Sequence, residues 1–276
     1  MKKILGSIGI VLLIGGCASN NMVIDKKIKE VNTDKILMKR YHITTDSLVN
    51  FGKYYIFYTP GVNKMKVVFL DKNYKKVKSI ELPDFFEVKK ITVKNSKIYV
   101  LGTDEKTYYP QMLIFNKEGK LVEKITIPKK YALVKDLYVN NGKYYILIDV
   151  YKNGKSYSEI YSDKKLVRKF ETNKSINGNY IFILDNDIYL IGTVKNENED
   201  AFLANLSKGW IRYFDLGMDE KIENYDIDEN KIILNLHSTD YMGYDSYNEV
   251  ILDKDGKVIK NKCKIKFAPL PVRYRT

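Results

Sequence analysis

Five polar residues recur at one point of a repeating pattern. Asp46, Lys90, Asp136, Tyr180 and Asn224 each stand seven positions before an anchor, at Lys53, Lys97, Lys143, Asp187 and Lys231. Two carboxylates held about 5 to 10 Å apart can hydrolyse a glycosidic bond, one giving a proton while the other attacks or activates water. Asp46 and Asp136 are the only acids of this set and Lys90 lies between them. Mutual neutralisation in a wet channel therefore accounts for the ring better than catalysis. Other chemistry is sparse. The two histidines, His42 and His237, are too few for a His-rich metal site. His237, Ser238 and Asp240 could be written as a triad, but such close neighbours seldom reach its geometry, and no nucleophile-elbow sequence accompanies them. "DKDGK" at 253–257 lacks the glutamate and spacing of a calcium loop and reads as a hairpin turn. No catalytic residue, metal ligand or cofactor is expected.

The elements that would position these residues repeat as well. The segments "GKYYIFY", "SKIYVLG", "GKYYILI", "NDIYLIG" and "NKIILNL" carry the anchors at spacings of 44, 46, 44 and 44 residues. About 20 residues after each comes a second hairpin, with turn chemistry between apolar arms at Asp71-Lys72-Asn73, Lys117-Glu118-Gly119, Ser162-Asp163-Lys164, Ser207-Lys208-Gly209 and Asp255-Gly256. Each unit is then four short strands, and four antiparallel strands repeated every 40–50 residues are the signature of propeller blades. The expected fold is an all-β propeller of five four-stranded blades, at about 41–86, 87–131, 132–174, 175–220 and 221–266. A sixth blade would need the segment before residue 41 to pair with the terminal "FAPLPVRYRT". "KILMKRYHI" at 35–43 is expected to be a strand joining the fold. Tyr55, Tyr99, Tyr145, Tyr189 and Ile233 form one column, read as packing between blades.

The loops joining the second and third strands vary: "TPGVNK" at 59–64, "TDEKTYYPQ" at 103–111, "DVYKNGKSY" at 149–157, "TVKNENED" at 193–200 and "HSTDYMGYDSYN" at 237–248. Variable loops on a rigid scaffold are where binding usually sits. The last carries Tyr241, Tyr244 and Tyr247 beside His237 and Asp240, and the second carries Tyr108 and Tyr109. Tyrosine offers a stiff apolar ring with a polar tip, suited to sugars and proteins alike. Phe85, Phe86 and Tyr131, in the loops between blades, should open on the same rim. The competing reading has these rings packed over the blade edges.

The beginning of the chain is of a different kind. Lys2 and Lys3 precede an apolar run from Ile8 to Ile14, a secretory-signal pattern too short to span a bilayer. It ends in Ile14-Gly15-Gly16-Cys17, which resembles the lipobox of bacterial lipoproteins. The resemblance implies that residues 1–16 are removed and that Cys17 is lipidated. Residues 17–40 would then be the lipidated amino terminus and linker, and 41–276 the propeller domain. Two or three acyl chains, at about 0.8 kcal/mol per buried methylene, would hold such a domain on a membrane surface. Ala18, rather than Asp, implies the outer membrane where the organism has two. With Cys17 consumed, Cys263 has no partner for an intramolecular disulfide.

The net charge of +13 favours acidic partners, yet the lysines are dispersed among acids, and nucleic acid is not an expected partner. Hairpins such as "FNKEGKLVEKI" are similar to those of bacterial propellers of the NHL and YncE-like kind. The resulting expectation is a monomeric, non-enzymatic binding or scaffolding module at the cell envelope, with a protein or glycan partner. Two alternatives accompany it. One is an assembly factor resembling in outline the eight-bladed propeller lipoprotein of the outer-membrane barrel-assembly machine. The other is a glycan-active hydrolase using Asp46 and Asp136.

Overall fold

The computed structural model describes residues 33–60, 64–195, 199–214, 219–239 and 245–267. After a helix at 33–41 and a 3₁₀ turn at Thr45–Ser47 come five blades. Blade 1 holds β1 (Val49–Phe51), β2 (Tyr54–Pro60), β3 (Met65–Leu70) and β4 (Lys76–Glu81). Blade 2 holds β5 (Phe86–Lys94), β6 (Lys97–Asp104), β7 (Tyr109–Phe115) and β8 (Leu121–Thr126). Blade 3 holds β9 (Leu133–Asn140), β10 (Lys143–Lys152), β11 (Lys155–Ser162) and β12 (Lys165–Phe170). Blade 4 holds β13 (Ser175–Leu184), β14 (Asp187–Lys195), β15 (Glu199–Asn205) and β16 (Trp210–Phe214). Blade 5 holds β17 (Asp219–Asp228), β18 (Lys231–Thr239), β19 (Asp245–Asp253) and β20 (Val258–Phe267). Every blade is an antiparallel meander, and one parallel pair, Glu199 with Asp219, links blades 4 and 5.

Turn chemistry sets the register. Asn95-Ser96, Asn141-Gly142 and Asp185-Asn186 each place two successive residues at positive φ. That is the type I′ geometry whose twist matches the flanking strands. The anchors Lys97, Lys143 and Asp187 are the first paired residues after these inner turns, opposite Lys94, Asn140 and Leu184, and Lys231 stands likewise opposite Asp228 after the turn that holds Glu229. Blade 1 departs by one residue. Its turn is Gly52-Lys53 and its first pair is Phe51 with Tyr54. Ile56, not Tyr55, is therefore the structural counterpart of Tyr99, Tyr145, Tyr189 and Ile233. Because side chains alternate faces along a strand, a one-residue offset exchanges the faces.

The cores confirm that assignment. Ile56 packs between blades 1 and 2, Tyr99 between 2 and 3, Tyr145 between 3 and 4, and Tyr189 between 4 and 5. Tyr55 turns the other way, into a cluster of Phe57, Val68 and Leu70 closed by Leu37 and Tyr41 of the helix. The expected strand at 35–43 is thus a helix through residue 41. Leu37 and Tyr41 are four residues apart, on one helical face, and blade 1 buries that face. Leu37 is fully buried, a gain of about 1.5–3 kcal/mol. The residues just before 41, assigned to a linker, belong to the fold.

The helix stands where a preceding blade would stand. Among the described residues no apolar cluster joins blade 5 to blade 1. The central strands show the difference. β7, β11 and β14 are buried on both faces along most of their length. β18 instead alternates, with Ile232, Leu234, Leu236 and Ser238 buried and Ile233, Asn235, His237 and Thr239 half-buried. Such alternation marks a sheet covered fully on one face.

One further feature recurs. The inner strands of blades 2 to 5 skip one residue in their pairing, at Lys89, Lys135, Asn179 and Glu223. Each is a β-bulge, which re-aims neighbouring groups. Immediately after the bulges lie Lys90, Asp136, Tyr180 and Asn224, in equivalent register. Asp46, expected to begin this ring, is instead exposed in the 3₁₀ turn before β1.

Candidate functional site

The post-bulge residues tie consecutive blades together. Lys90 of blade 2 donates from Nζ to Asp136 Oδ1 of blade 3. Asp136 Oδ2 in turn accepts the Ile181 N–H of blade 4 at 3.0 Å. The Tyr180 hydroxyl donates to the Glu223 carbonyl of blade 5 at 2.5 Å. Asp136 is 2% exposed, and burial raises its carboxyl above the usual range against the opposing pull of Lys90. A second staple lies beside it. Asp149 accepts from Ser158 Oγ at 2.6 Å and from the Gly178 N–H of blade 4 at 3.0 Å, with Lys135 Nζ at 3.4 Å. Burial raises its pKa too. Glu159 is held by Lys129 at 2.9 Å and by the Tyr161 hydroxyl at 2.8 Å. These carboxylates have protein partners on both sides, so they serve cohesion of the blades. Asp46 is placed on a different kind of element from Asp136, and the two are not brought into equivalent positions.

The rim opposite the tight inner turns differs. Phe85 lies in the connection between blades 1 and 2, Tyr108 in the β6–β7 loop, and Tyr131 in the connection between blades 2 and 3. All three carry positive φ, at 61°, 60° and 62°. For bulky residues that conformation is an outlier, and here backbone hydrogen bonds hold it. Glu105 N–H donates to the Phe85 carbonyl at 2.7 Å, Tyr108 N–H to that of Asp104 at 2.6 Å, and Tyr131 N–H to that of Tyr108 at 2.9 Å. The Tyr108 and Tyr131 rings meet with centroids 5.1 Å apart. Lys106 Nζ stands 4.5 Å from the Phe85 ring centroid and Lys130 Nζ 5.0 Å from that of Tyr131. Even so, Tyr108, Phe85, Leu133 and Tyr131 remain 48%, 55%, 64% and 68% exposed. Beside them opens a cleft of about 410 Å³ lined by Glu87, Lys89, Thr103, Tyr108, Tyr131 and Leu133 among others.

This region both matches and corrects the sequence reading. Phe85, Tyr108 and Tyr131 share one rim. Phe86 does not, being buried against Gly102, where a Cβ would fall 2.0 Å from the Glu87 carbonyl and 2.9 Å from the Phe86 ring. Tyr109 is half-buried at the start of β7. Leu133, Glu87 and Lys89 were missed, because they lie on strands and reach the cleft only through the packing of blades 2 and 3; Thr103, the first residue of the loop read at 103–111, lies at the end of β6 and also lines it. The supposed loop at 149–157 is a long hairpin turning at Asn153-Gly154, both at positive φ, and its "NG" was the available signal.

At blade 5 the His237 ring stacks on Tyr247, its cross-strand partner, with centroids 4.7 Å apart. His237 Nε2 lies 2.9 Å from Asp245 Oδ1, which also accepts from the Thr239 hydroxyl at 2.9 Å. The Thr239 hydrogen bond, then His237, lowers the Asp245 pKa. Ser238 points to the opposite, buried face and contacts Ser246 Oγ at 2.7 Å. Strand alternation thus separates Ser238 from His237 and dissolves the supposed triad. Tyr241, Tyr244, Asp240 and Cys17 lie outside the described residues. A larger cleft, about 640 Å³, lies at the tight-turn end between blades 1 and 2. There Lys78 is already engaged by the Lys117 and Glu118 carbonyls and the Phe69 ring.

No protein-family model matches this chain, and no curated protein matches it. Solved structures do. The chain is similar to the β-propeller domain of the Trilobed protease from Pyrococcus furiosus, described as having an open velcro topology, with TM-score 0.50 and 15% identity over 77% of this chain and 65% of that one. It is also similar to a variant of Synechocystis apocarotenoid oxygenase, with TM-score 0.50 and 9% identity over 79% and 59% of the two chains. Kuenenia stuttgartiensis hydrazine synthase matches with TM-score 0.46 and 13% identity over 75% and 63%. The chain spans less than two thirds of each of these proteins. At such identities the likeness to the first two carries the fold alone, a β-propeller, and a propeller does not choose an activity.

Proposed function

We propose that this chain is a lipid-anchored, non-enzymatic binding module of the bacterial cell envelope, which engages a protein or glycan partner through the rim of Phe85, Tyr108 and Tyr131. One observation carries the reading: three bulky aromatic residues in left-handed backbone on one rim, about half to two-thirds exposed. Backbone strain of this kind costs about 1–3 kcal/mol per residue. Rings that bury little surface return little of that cost to folding, so a role in recognition supports their placement. The anchor half of the proposal rests on Ile14-Gly15-Gly16-Cys17.

Both halves are open to test in cells of the source organism. Radiolabelled palmitate should enter the wild-type chain and not a Cys17→Ser variant; an unlabelled wild type would remove the anchor. A photo-crosslinking residue placed at Tyr131 should yield a discrete adduct with an envelope component. Its absence at Tyr131, with an adduct formed from Tyr247, would move the binding surface to blade 5.

A further inference from the structure

The cleft between blades 2 and 3 has the size and the mixture of surfaces that select one class of partner. Its volume of about 410 Å³ falls within the roughly 300–1,000 Å³ of small-ligand sites. A stable protein interface needs on the order of 800 Å² from each partner. The open apolar surface here is limited to four side chains, Phe85, Tyr108, Tyr131 and Leu133. Charged residues bound it, with Glu87 and Lys89 on β5 and Lys106 and Lys130 on the loops, all exposed. An extended apolar ligand would have to strip water from these groups without replacing it. A pyranose would not, since each ring has an apolar C–H face and a rim of hydroxyls that donate and accept.

The cleft supplies the complement of both. Tyr108 and Tyr131 give flat apolar surface at small conformational cost. Glu87 brings a carboxylate acceptor, Thr103 a hydroxyl, and Lys89 an ammonium donor. Lys135 forms part of the wall and is fixed there, with Nζ 3.4 Å from buried Asp149 and 2.5 Å from Asn177 Oδ1. The backbone that carries the rings is held too, by hydrogen bonds within and between the loops, and the Tyr108 and Tyr131 rings lie against each other. A site already in its binding shape loses little entropy when a ligand arrives.

We propose that this cleft binds an oligosaccharide, with sugar faces on Tyr131 and Tyr108 and hydroxyls on Glu87, Thr103 and Lys89. The inference rests on the binding-module reading and names its ligand class. Its test is calorimetric titration of the full mature chain, in detergent micelles, with chitohexaose, cellohexaose and hyaluronan hexasaccharide in turn. At least one should bind saturably. Tyr131→Ala and Tyr108→Ala should each weaken that binding by about tenfold, Lys89→Ala should weaken it less, and Tyr247→Ala should leave it unchanged. Tyr131→Gly, which fits the left-handed backbone, should lose binding while unfolding at an unchanged or higher temperature. No binding by any of the three sugars, or binding that survives Tyr108→Ala with Tyr131→Ala, overturns the inference. A protein adduct from the crosslinker at Tyr131, with no sugar bound, overturns it while leaving the binding-module reading in place. Silence in both experiments removes both.

Discussion

Asp136 and Tyr131 belong to the same stretch of chain, at the entry to blade 3, and are treated in opposite ways. The carboxylate of Asp136 is sealed between Lys90 of the preceding blade and the Ile181 N–H of the following one. The ring of Tyr131 stands in water on a strained backbone. A buried charge must find internal partners, since an unpaired one costs several kcal/mol. An exposed ring carries no such requirement, and the Tyr131 ring, although it meets Tyr108, stays about two-thirds exposed on its strained backbone. Polar residues of the inner strands therefore report on assembly of the blades, and the aromatic rim is where we propose recognition. The partners of Asp136, one on each neighbouring blade, tie those blades together.

Substitutions at the two regions should separate accordingly. The largest effect is expected from Lys90→Met, which leaves Asp136 buried with only the backbone N–H groups of Ile181 and Leu137, at a cost of about 3 kcal/mol near neutral pH. The sign of its pH dependence follows from the raised pKa of Asp136. A carboxyl raised above its unfolded value is fully compatible with folding below the ordinary range, and stability falls as pH rises through the folded value. Without Lys90 that value rises further. The deficit of Lys90→Met, measured by denaturant midpoints, should therefore grow as pH rises above the ordinary carboxylate range. A deficit independent of pH would mean that the carboxylate is not its source.

Asp136→Asn should cost less, about 1–2 kcal/mol, because the amide oxygen still accepts from Ile181 and half-exposed Lys90 can turn to water. This variant should also flatten the pH dependence that Lys90→Met steepens. A loss as large as that of Lys90→Met would place the energy in geometry rather than in charge. The smallest effect belongs to the rim. Tyr131→Gly should change stability by no more than about 1 kcal/mol, in the favourable direction, because glycine adopts positive φ freely. Marked destabilisation would return Tyr131 to the packing class and erase the contrast.

The propeller could be read from residue order because its signals are local. Turn residues such as Asn141-Gly142 demand their own backbone conformation, and the apolar arms repeat at nearly constant spacing wherever the chain is sampled. Those two features yield five four-stranded blades, the interblade tyrosines Tyr99, Tyr145 and Tyr189, and the exposed rim at Phe85, Tyr108 and Tyr131. Features that depend on a neighbour distant along the chain could not be read. Gly52-Lys53 sets the first turn one residue later than the repeat suggests, which exchanges the faces of Tyr55 and Ile56. The apolar run at 35–43 is short enough to suit a strand or a helix, and burial of Leu37 and Tyr41 against blade 1 selects the helix. Phe85 and Phe86 are adjacent in sequence, but only Phe86 lies over Gly102. Lys90 meets Asp136 only when blades 2 and 3 pack, and that packing also brings Leu133 to the cleft. Local conformation is encoded by a few consecutive residues, whereas partners, burial and accessible surface are properties of the assembled blades.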